Sequence, residues 1–385
     1  MPVMPARFPA GRALRLLAAS LVVTGVLAGP GSAAAAGSTC ENWTGVPPPN
    51  PGTGNVLKGV AVVSACDAWA VGQDVSNGTL QTLIEHWNGS GWTVVASPHP
   101  GAGSILDGVQ AASRTDIWAV GSYEDSLQGT KTLALHWNGT VWKQAATPNP
   151  RFFSELSGVR VLSANDAWAV GDTFDPPPSE TLILHWNGTR WARVASPNPA
   201  GDSGLLGVAA TSASNAWAVG SSGAPNGTLI LHWNGTKWTH VASPSLGIFS
   251  GLTGVSATSL ANAWAVGSFF NGTAEQTLIL HWNGTRWRRV ASPNPGGPAH
   301  DNVLRGLAVT SAGNAWAVGS YTSGPAGSKT LILRWNGTKW ARVASPDPGT
   351  SNQLNGVRAW SASNAWAVGS FSSGGPSQAL AIHCC

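Results

Sequence analysis

The tetrapeptide Trp-Ala-Val-Gly occurs seven times in this chain, with its Trp at positions 69, 118, 168, 217, 264, 316 and 366. The steps between copies are 49, 50, 49, 47, 52 and 50 residues. Self-similarity at a fixed period near 50 means stacked copies of one supersecondary unit, none of which buries its apolar face alone. The repeats fill almost everything after residue 37, so the 385 residues are read as one repeat domain and not as two or three unrelated ones.

Residues 1–36 stand outside the repeat. Arg7, Arg12 and Arg15 precede an apolar run from Leu16 to Leu27, and the small residues Ser32 to Ala36 follow. That order predicts a signal peptide of the general secretory route, cleaved near residue 36. The apolar run is short of the about 20 residues a membrane span requires. There is no adjacent Arg pair, and Cys40 lacks a Leu three positions before it, which argues against twin-arginine export and a lipid anchor. The chain has 21 Lys+Arg and 17 Asp+Glu; three Arg and no acids precede residue 37, leaving 18 basic against 17 acidic residues, a net charge of +1. No basic field for nucleic acid or anionic lipid exists.

Within one repeat, Leu252–Thr258, Ala263–Gly267, Thr277–Trp282 and Thr285–Ala291 are four β-prone runs. Asn283-Gly284 joins the last two and predicts a two-residue type I′ hairpin. Ser292-Pro293-Asn294-Pro295 ends the unit, because Pro cannot donate to a ladder. Nothing has a helical period. Four antiparallel strands repeated seven times give an all-β, seven-bladed β-propeller, in which ring closure removes the open edges. The blades are read as about 57–98, 106–148, 156–197, 205–244, 252–293, 304–346, and 354–385 completed by 40–49. A Gly recurs in every first strand (Gly59, Gly108, Gly158, Gly207, Gly254, Gly306, Gly356), where a side chain would crowd the axis.

The last repeat stops at His383-Cys384-Cys385, and the start of the repeat domain supplies what is missing. Trp43 precedes Trp69 by 26 residues, the spacing found between Trp92 and Trp118. Trp43 is therefore assigned to the outermost strand of the seventh blade. Cys40, Cys66, Cys384 and Cys385 cluster at this seam. In an exported protein they are expected as disulfides, with Cys40 paired to Cys384 or Cys385 and Cys66 to the other.

The repeated Trp residues are read as blade-to-blade packing, each with its indole N–H bonded locally, and not as sugar sites. His86, His136, His185, His232, His281 and His383 fall in different blades, so they cannot converge on a metal ion. The Asn-Gly-Thr/Ser sequences at Asn88, Asn138, Asn187, Asn234, Asn283 and Asn336 also fit a glycosylation acceptor, but the hairpin turn accounts for them. No cofactor or metal site is expected.

The repeats agree in most strand positions and in one set of turns, and disagree in two loop sets. The second-to-third-strand loops and the blade-to-blade loops share one face of the ring. Every Phe and Tyr after residue 37 falls there: Tyr123, Phe152, Phe153, Phe174, Phe249, Phe269, Phe270, Tyr321 and Phe371. Acids outside the register, such as Asp74, Glu124, Asp125, Asp175, Asp202, Glu275 and Asp301, lie there too. A second candidate is the channel mouth. The residue before each first-strand Gly differs in every blade: Lys58, Asp107, Ser157, Leu206, Thr253, Arg305 and Asn355. No Gly-x-Ser-x-Gly elbow, phosphate loop or obvious carboxylate pair is present.

The segments Ser163–Gly171 and Leu182–Trp191 resemble repeats of secreted bacterial β-propellers of the kelch/galactose-oxidase-like and photosystem-assembly-factor-like groups. The kelch Gly-Gly doublet and the sialidase Ser-x-Asp-x-Gly-x-Thr-Trp box are absent. The Trp-Asn-Gly-x-x-Trp hairpin is also similar to that of seven-bladed bacterial lectins that bind fucose between blades, whose other pocket residues are not recognisable. These groups include enzymes and binders. The resemblance implies the fold; the leader, the loop aromatics and the missing catalytic sets lead to the expectation of a monomeric, secreted, non-enzymatic propeller that binds a glycan or an extracellular protein through its loop face. The alternatives are an extracellular polysaccharide-acting hydrolase or lyase and a cell-surface scaffold.

Overall fold

Each repeat folds as one four-stranded antiparallel sheet in the computed structural model, which describes residues 42–126, 129–175, 177–199, 201–223, 227–325 and 327–385. The first blade comprises Asn55–Ser64, Asp67–Ser76, Thr79–Trp87 and Trp92–Val94, running from the axis outward. Seven such sheets are present, and all named elements among the described residues are strands. Inner strands pack side by side around a closed ring, the seventh against the first. The proposed leader lies outside the described residues. Among those described, no helix is long and apolar enough to cross a membrane.

The Gly of each Trp-Ala-Val-Gly is fixed by a β-bulge. In blade 3 the register slips between Leu156 and Gly158, which brings the Glu155 carbonyl over the second strand. A Cβ at Gly171 would sit 2.0 Å from that oxygen. The inner-strand glycines have a different reason. A Cβ at Gly356 would lie 2.8 Å from the Lys58 carbonyl of the next blade, so backbones touch where blades converge.

The repeated Trp links neighbouring blades. Trp118 of blade 2 stacks on His136 of its own blade at 4.4 Å and meets two indoles of blade 3: Trp186 at 4.8 Å and Trp191 edge-on at 5.1 Å. The same contacts recur at Trp69, Trp168, Trp217 and Trp264. Trp366 of blade 7 packs on Trp87 and Trp92 of blade 1, which carries the chain of contacts across the closing seam. The expected local bond of this indole N–H is not made. The repeat Trp N–H groups of blades 2 to 7 are buried among rings without a partner. The N–H that bonds locally belongs to the third-strand Trp, as in Trp186 donating to the Ala164 carbonyl at 2.9 Å. In blades 1 to 5 the His donates from Nε2 to the turn residue of its blade, for example His185 to Asp166 Oδ1 at 2.9 Å, whereas His383 Nε2 of blade 7 is buried without a partner. In blade 6, Arg334 takes the place of His and lies over the Trp316 ring at 5.2 Å.

The seventh sheet is closed by the other end of the chain. Thr44–Gly45 pairs antiparallel with Gln378–Cys384, Thr44 opposite His383. Trp43 is buried against Trp316 at 5.5 Å, the place other outer-strand Trp residues hold. The two-residue type I′ turn is not what forms. Trp87 pairs with Trp92 across a four-residue loop, in which only Gly89 has positive φ. Asn88 Oδ1 accepts from the N–H groups of Ser90 and Gly91, so the Asn side chain does the work of the turn.

The cysteine pairing also needs correction. Cys66 and Cys385 are free and exposed. Cys66 packs beside Gly89 of its own blade. Cys384 is fully buried and is not a free thiol. Cys40 lies outside the described residues.

One residue contradicts the packing of its position. Glu85 stands where the other blades have Leu135, Leu184, Leu231, Leu280, Leu333 or Ile382. It shares a strand face with Leu83, which packs against Trp366 and Val368 of blade 7. Both carboxylate oxygens are buried without a hydrogen-bond partner. Burial pushes the Glu85 pKa up to about 8. The folded protein therefore holds this proton at pH values where the unfolded chain has lost it. Its stability contribution is complete below about pH 4.5 and is lost as pH rises toward 8. Glu85→Leu should remove this pH dependence and raise stability at pH 8 by about 1–3 kcal/mol, the penalty of a buried unpartnered polar group; denaturant melts at pH 5 and pH 8 measure both.

Candidate functional site

The loop-side mouth of the channel is built by the inner strands where they enter the ring. One cavity of about 370 Å³ there is lined by Val56, Lys58, Asp107, Ser157, Leu206, Thr253, Val303, Arg305, Gln353 and Asn355. All seven residues that precede the inner-strand glycines thus face one space. Several of them also stitch neighbouring blades. Lys58 Nζ lies 2.6 Å from Asp107 Oδ1 of the next blade. Thr253 donates to the Leu304 carbonyl at 2.9 Å, and Asn355 to the Leu57 carbonyl at 2.8 Å. Arg305 Nη1 donates to Ser320 Oγ at 2.8 Å within its own blade. Leu206 is exposed and supplies an apolar wall between this cavity and a smaller one lined by Asp172, Asp202 and Ser221.

Three carboxylates share this region. Glu155 and Asp172 are directly opposed on neighbouring strands of blade 3, so their side chains point to one face of the sheet. Burial first, and the Glu155 charge second, push the Asp172 pKa up to about 7. Glu155 is itself raised, by burial and then by Asp107, with Lys58 pulling the other way. Burial also raises Asp107, against the attraction of Lys58. Comparing repeats position by position exposes this pair. Glu155 stands where other blades have Val56, Ile105, Gly204, Gly251, Val303 or Gln353, and Asp172 where five have Ser.

The loop aromatics divide. Phe152, Phe153 and Phe249 are exposed. Phe153 touches Phe152 at 4.9 Å and Phe174 at 5.7 Å, giving one aromatic cluster on blade 3. Tyr321 is buried instead, its hydroxyl accepting from Arg342 Nη2 at 2.7 Å and its ring under that guanidinium. Phe269 lies under Arg289, while Tyr123 and Phe371 are partly buried against the cores of their blades. Phe270 is partly buried and pairs across the strands with Phe249. The nine rings therefore do not form one surface. Among the described residues, no group of His, Cys, Asp and Glu is placed to hold a metal ion.

No protein-family model matches the chain, and no curated protein does. Solved structures do. YCF48 from Cyanidioschyzon merolae is 16% identical over 89% of this chain and 98% of that one, with a TM-score of 0.54. The GH74 xyloglucanase from Xanthomonas campestris is 15% identical over 88% of this chain, with a TM-score of 0.58, and this chain spans 55% of its length. Both likenesses are of the fold. A lectin from Aleuria aurantia is 11% identical over 74% of this chain and 94% of that one at a TM-score of 0.42, too distant to compare sites.

Glu155→Gln should bring the Asp172 pKa down from about 7 while leaving it above the ordinary Asp value of about 3.9, because burial remains. Carboxyl-carbon NMR titration of the two proteins reads this shift; an unchanged Asp172 titration would show that the two carboxylates do not interact.

Proposed function

We propose that this protein is an exported, non-enzymatic β-propeller that binds a carbohydrate at the loop-side channel mouth. The observation that carries this is the contrast between the mouth and its surroundings. Seven side chains that differ from blade to blade enclose one cavity, in a ring whose neighbouring positions are nearly identical. The lining alternates hydroxyl, amide, carboxylate and guanidinium groups with the apolar walls of Val56, Leu206 and Val303. That mixture suits a ligand whose hydroxyls need both donors and acceptors and whose ring faces are apolar. The exposed Phe152–Phe153 pair extends the face outward.

The leader-like residues 1–36 support export. Cys384, buried and not free, is assigned a disulfide to Cys40 across the closing seam, with Cys66 and Cys385 as thiols. A bond closing a loop of more than 300 residues contributes about 2–5 kcal/mol in chain-entropy models.

A second reading is favoured by one observation. Two opposed carboxylates with raised pKa values, Glu155 and Asp172, are the groups a glycoside hydrolase uses as acid and base. Turnover of a polysaccharide panel that disappears in Asp172→Asn would establish that reading in place of binding alone.

On a glycan array, the protein should retain a defined neutral glycan class, and Arg305→Met should weaken binding roughly tenfold or more, as expected for a lost charge-assisted bond. Silence on the array together with specific capture of an extracellular protein would replace the glycan by a protein ligand. Intact mass of the secreted protein should give an N-terminus near residue 37 and two free thiols; a full-length chain with four thiols would contradict export and the seam disulfide.

A further inference from the structure

The other end of the channel carries different chemistry. Two residues beyond each inner-strand glycine, the seven blades place Ala61, Gln110, Arg160, Ala209, Ser256, Ala308 and Arg358. Two of these are cationic. Arg160 comes from blade 3 and Arg358 from blade 7, and both line one cavity of about 200 Å³, with Ser256, Thr310 and Trp360. Each sits opposite the repeat Trp of its own blade, Trp168 and Trp366, on a rigid inner strand.

These guanidiniums lack counter-ions. Arg160 donates from Nε to the Ala210 carbonyl at 3.2 Å, which holds its stem and leaves the terminal nitrogens. Among the described residues no carboxylate pairs with either Arg, and no acid lines the cavity. The acids of the neighbouring turns are committed, as Asp166 is to His185 and Asp116 to His136. Burial, and then the charge of Arg160, push the Arg358 pKa down to about 10. Both remain cations at neutral pH, and two uncompensated charges in a half-closed channel repel one another. An anion between them would reverse that cost.

Trp360 is a second departure at the same place. The chain has 21 Trp, and Trp360 is the one outside the three repeat positions. It is 54% exposed at the rim of the cavity, where other blades carry Val63, Ala112, Leu162, Thr211, Thr258 or Thr310. An exposed indole beside cations is a platform for a ring.

We propose that the turn-side mouth of the channel is an oxyanion site, in which Arg160 and Arg358 bind a carboxylate, sulfate or phosphate group of a small ligand whose ring lies on Trp360. Guanidinium forks suit such groups because they present paired donors to paired oxygens. The site is at the opposite end of the channel from the loop-side cavity and stands or falls independently of it.

Calorimetric titration with sulfate, inorganic phosphate and glucuronate, with glucose as the neutral control, tests the site. Arg160→Ala and Arg358→Ala are the apt variants, since Ala61, Ala209 and Ala308 already hold this position in three blades. Saturable binding of an oxyanion, lost roughly tenfold or more in each variant while glucose does not bind, is the expected result. Trp360→Ala should weaken glucuronate and leave sulfate and phosphate unchanged. Equal loss for all three would overturn the ring platform, and sulfate or phosphate binding without glucuronate would restrict the site to inorganic anions. No saturable oxyanion binding, or binding that survives in the double variant Arg160→Ala/Arg358→Ala, would overturn the proposal.

Discussion

Contact between the Trp of one blade and the indole pair of the next is the interaction on which the ring depends. A four-stranded sheet on its own leaves both faces and both edges uncovered. Here each blade presents a buried Trp to its neighbour and receives one in turn, from Trp69 on Trp137 and Trp142 round to Trp366 on Trp87 and Trp92. Aromatic pairs in edge and tilted geometry contribute about 0.5–1.5 kcal/mol each beyond the area they bury. In blades 1 to 5 a His beneath the Trp, held by an Asp or Asn of the adjoining turn, fixes the ring from the other side. Trp43 extends the pattern to the last blade, so the two ends of the chain meet inside a single sheet.

Such a uniform set of seams confines variation to the places they do not use. Inner strands approach so closely that glycine is required at their midpoint, which leaves side chains only above and below that waist. The loop-side end collects Lys58, Arg305 and the carboxylates Asp107, Glu155 and Asp172. The turn-side end collects Arg160 and Arg358 with no acid in its lining. One scaffold thus carries two chemically distinct mouths. Glu85 is the exception, a carboxylate placed inside a seam with nothing to pair with.

The architecture was legible because a periodic chain repeats its own signal: seven copies of one tetrapeptide gave blade number, strand order and the assignment of Trp43. Side chains that break the period were legible in principle but only by comparing one register across all blades. Glu85 where the other blades have Leu or Ile, Arg358 where three have Ala, and Trp360 where the others have Val, Ala, Leu or Thr are visible that way, whereas the channel-mouth ring is visible at the single position before the glycine. Local chemistry was less accessible. Asn88-Gly89 carries the signal of a two-residue turn, yet the pairing of Trp87 with Trp92 sets a four-residue loop. Cys66 is placed near the closing seam by the repeat register, but it is a free, exposed thiol beside Gly89. The burial of Tyr321 depends on Arg342, a partner 21 residues away that no pattern announces.

A double-mutant cycle at the closing seam tests the central claim most directly. Trp366→Ala and Trp87→Ala, singly and together, should be compared by equilibrium denaturation with the non-contacting pair Trp366→Ala and Trp186→Ala. If stacked indoles couple the blades, the contacting pair shows an interaction energy of about 1 kcal/mol or more, the control pair adds within about 0.5 kcal/mol, and unfolding stays a single transition. Additive losses at Trp366 and Trp87, or local unfolding of one blade with the rest intact, would contradict it.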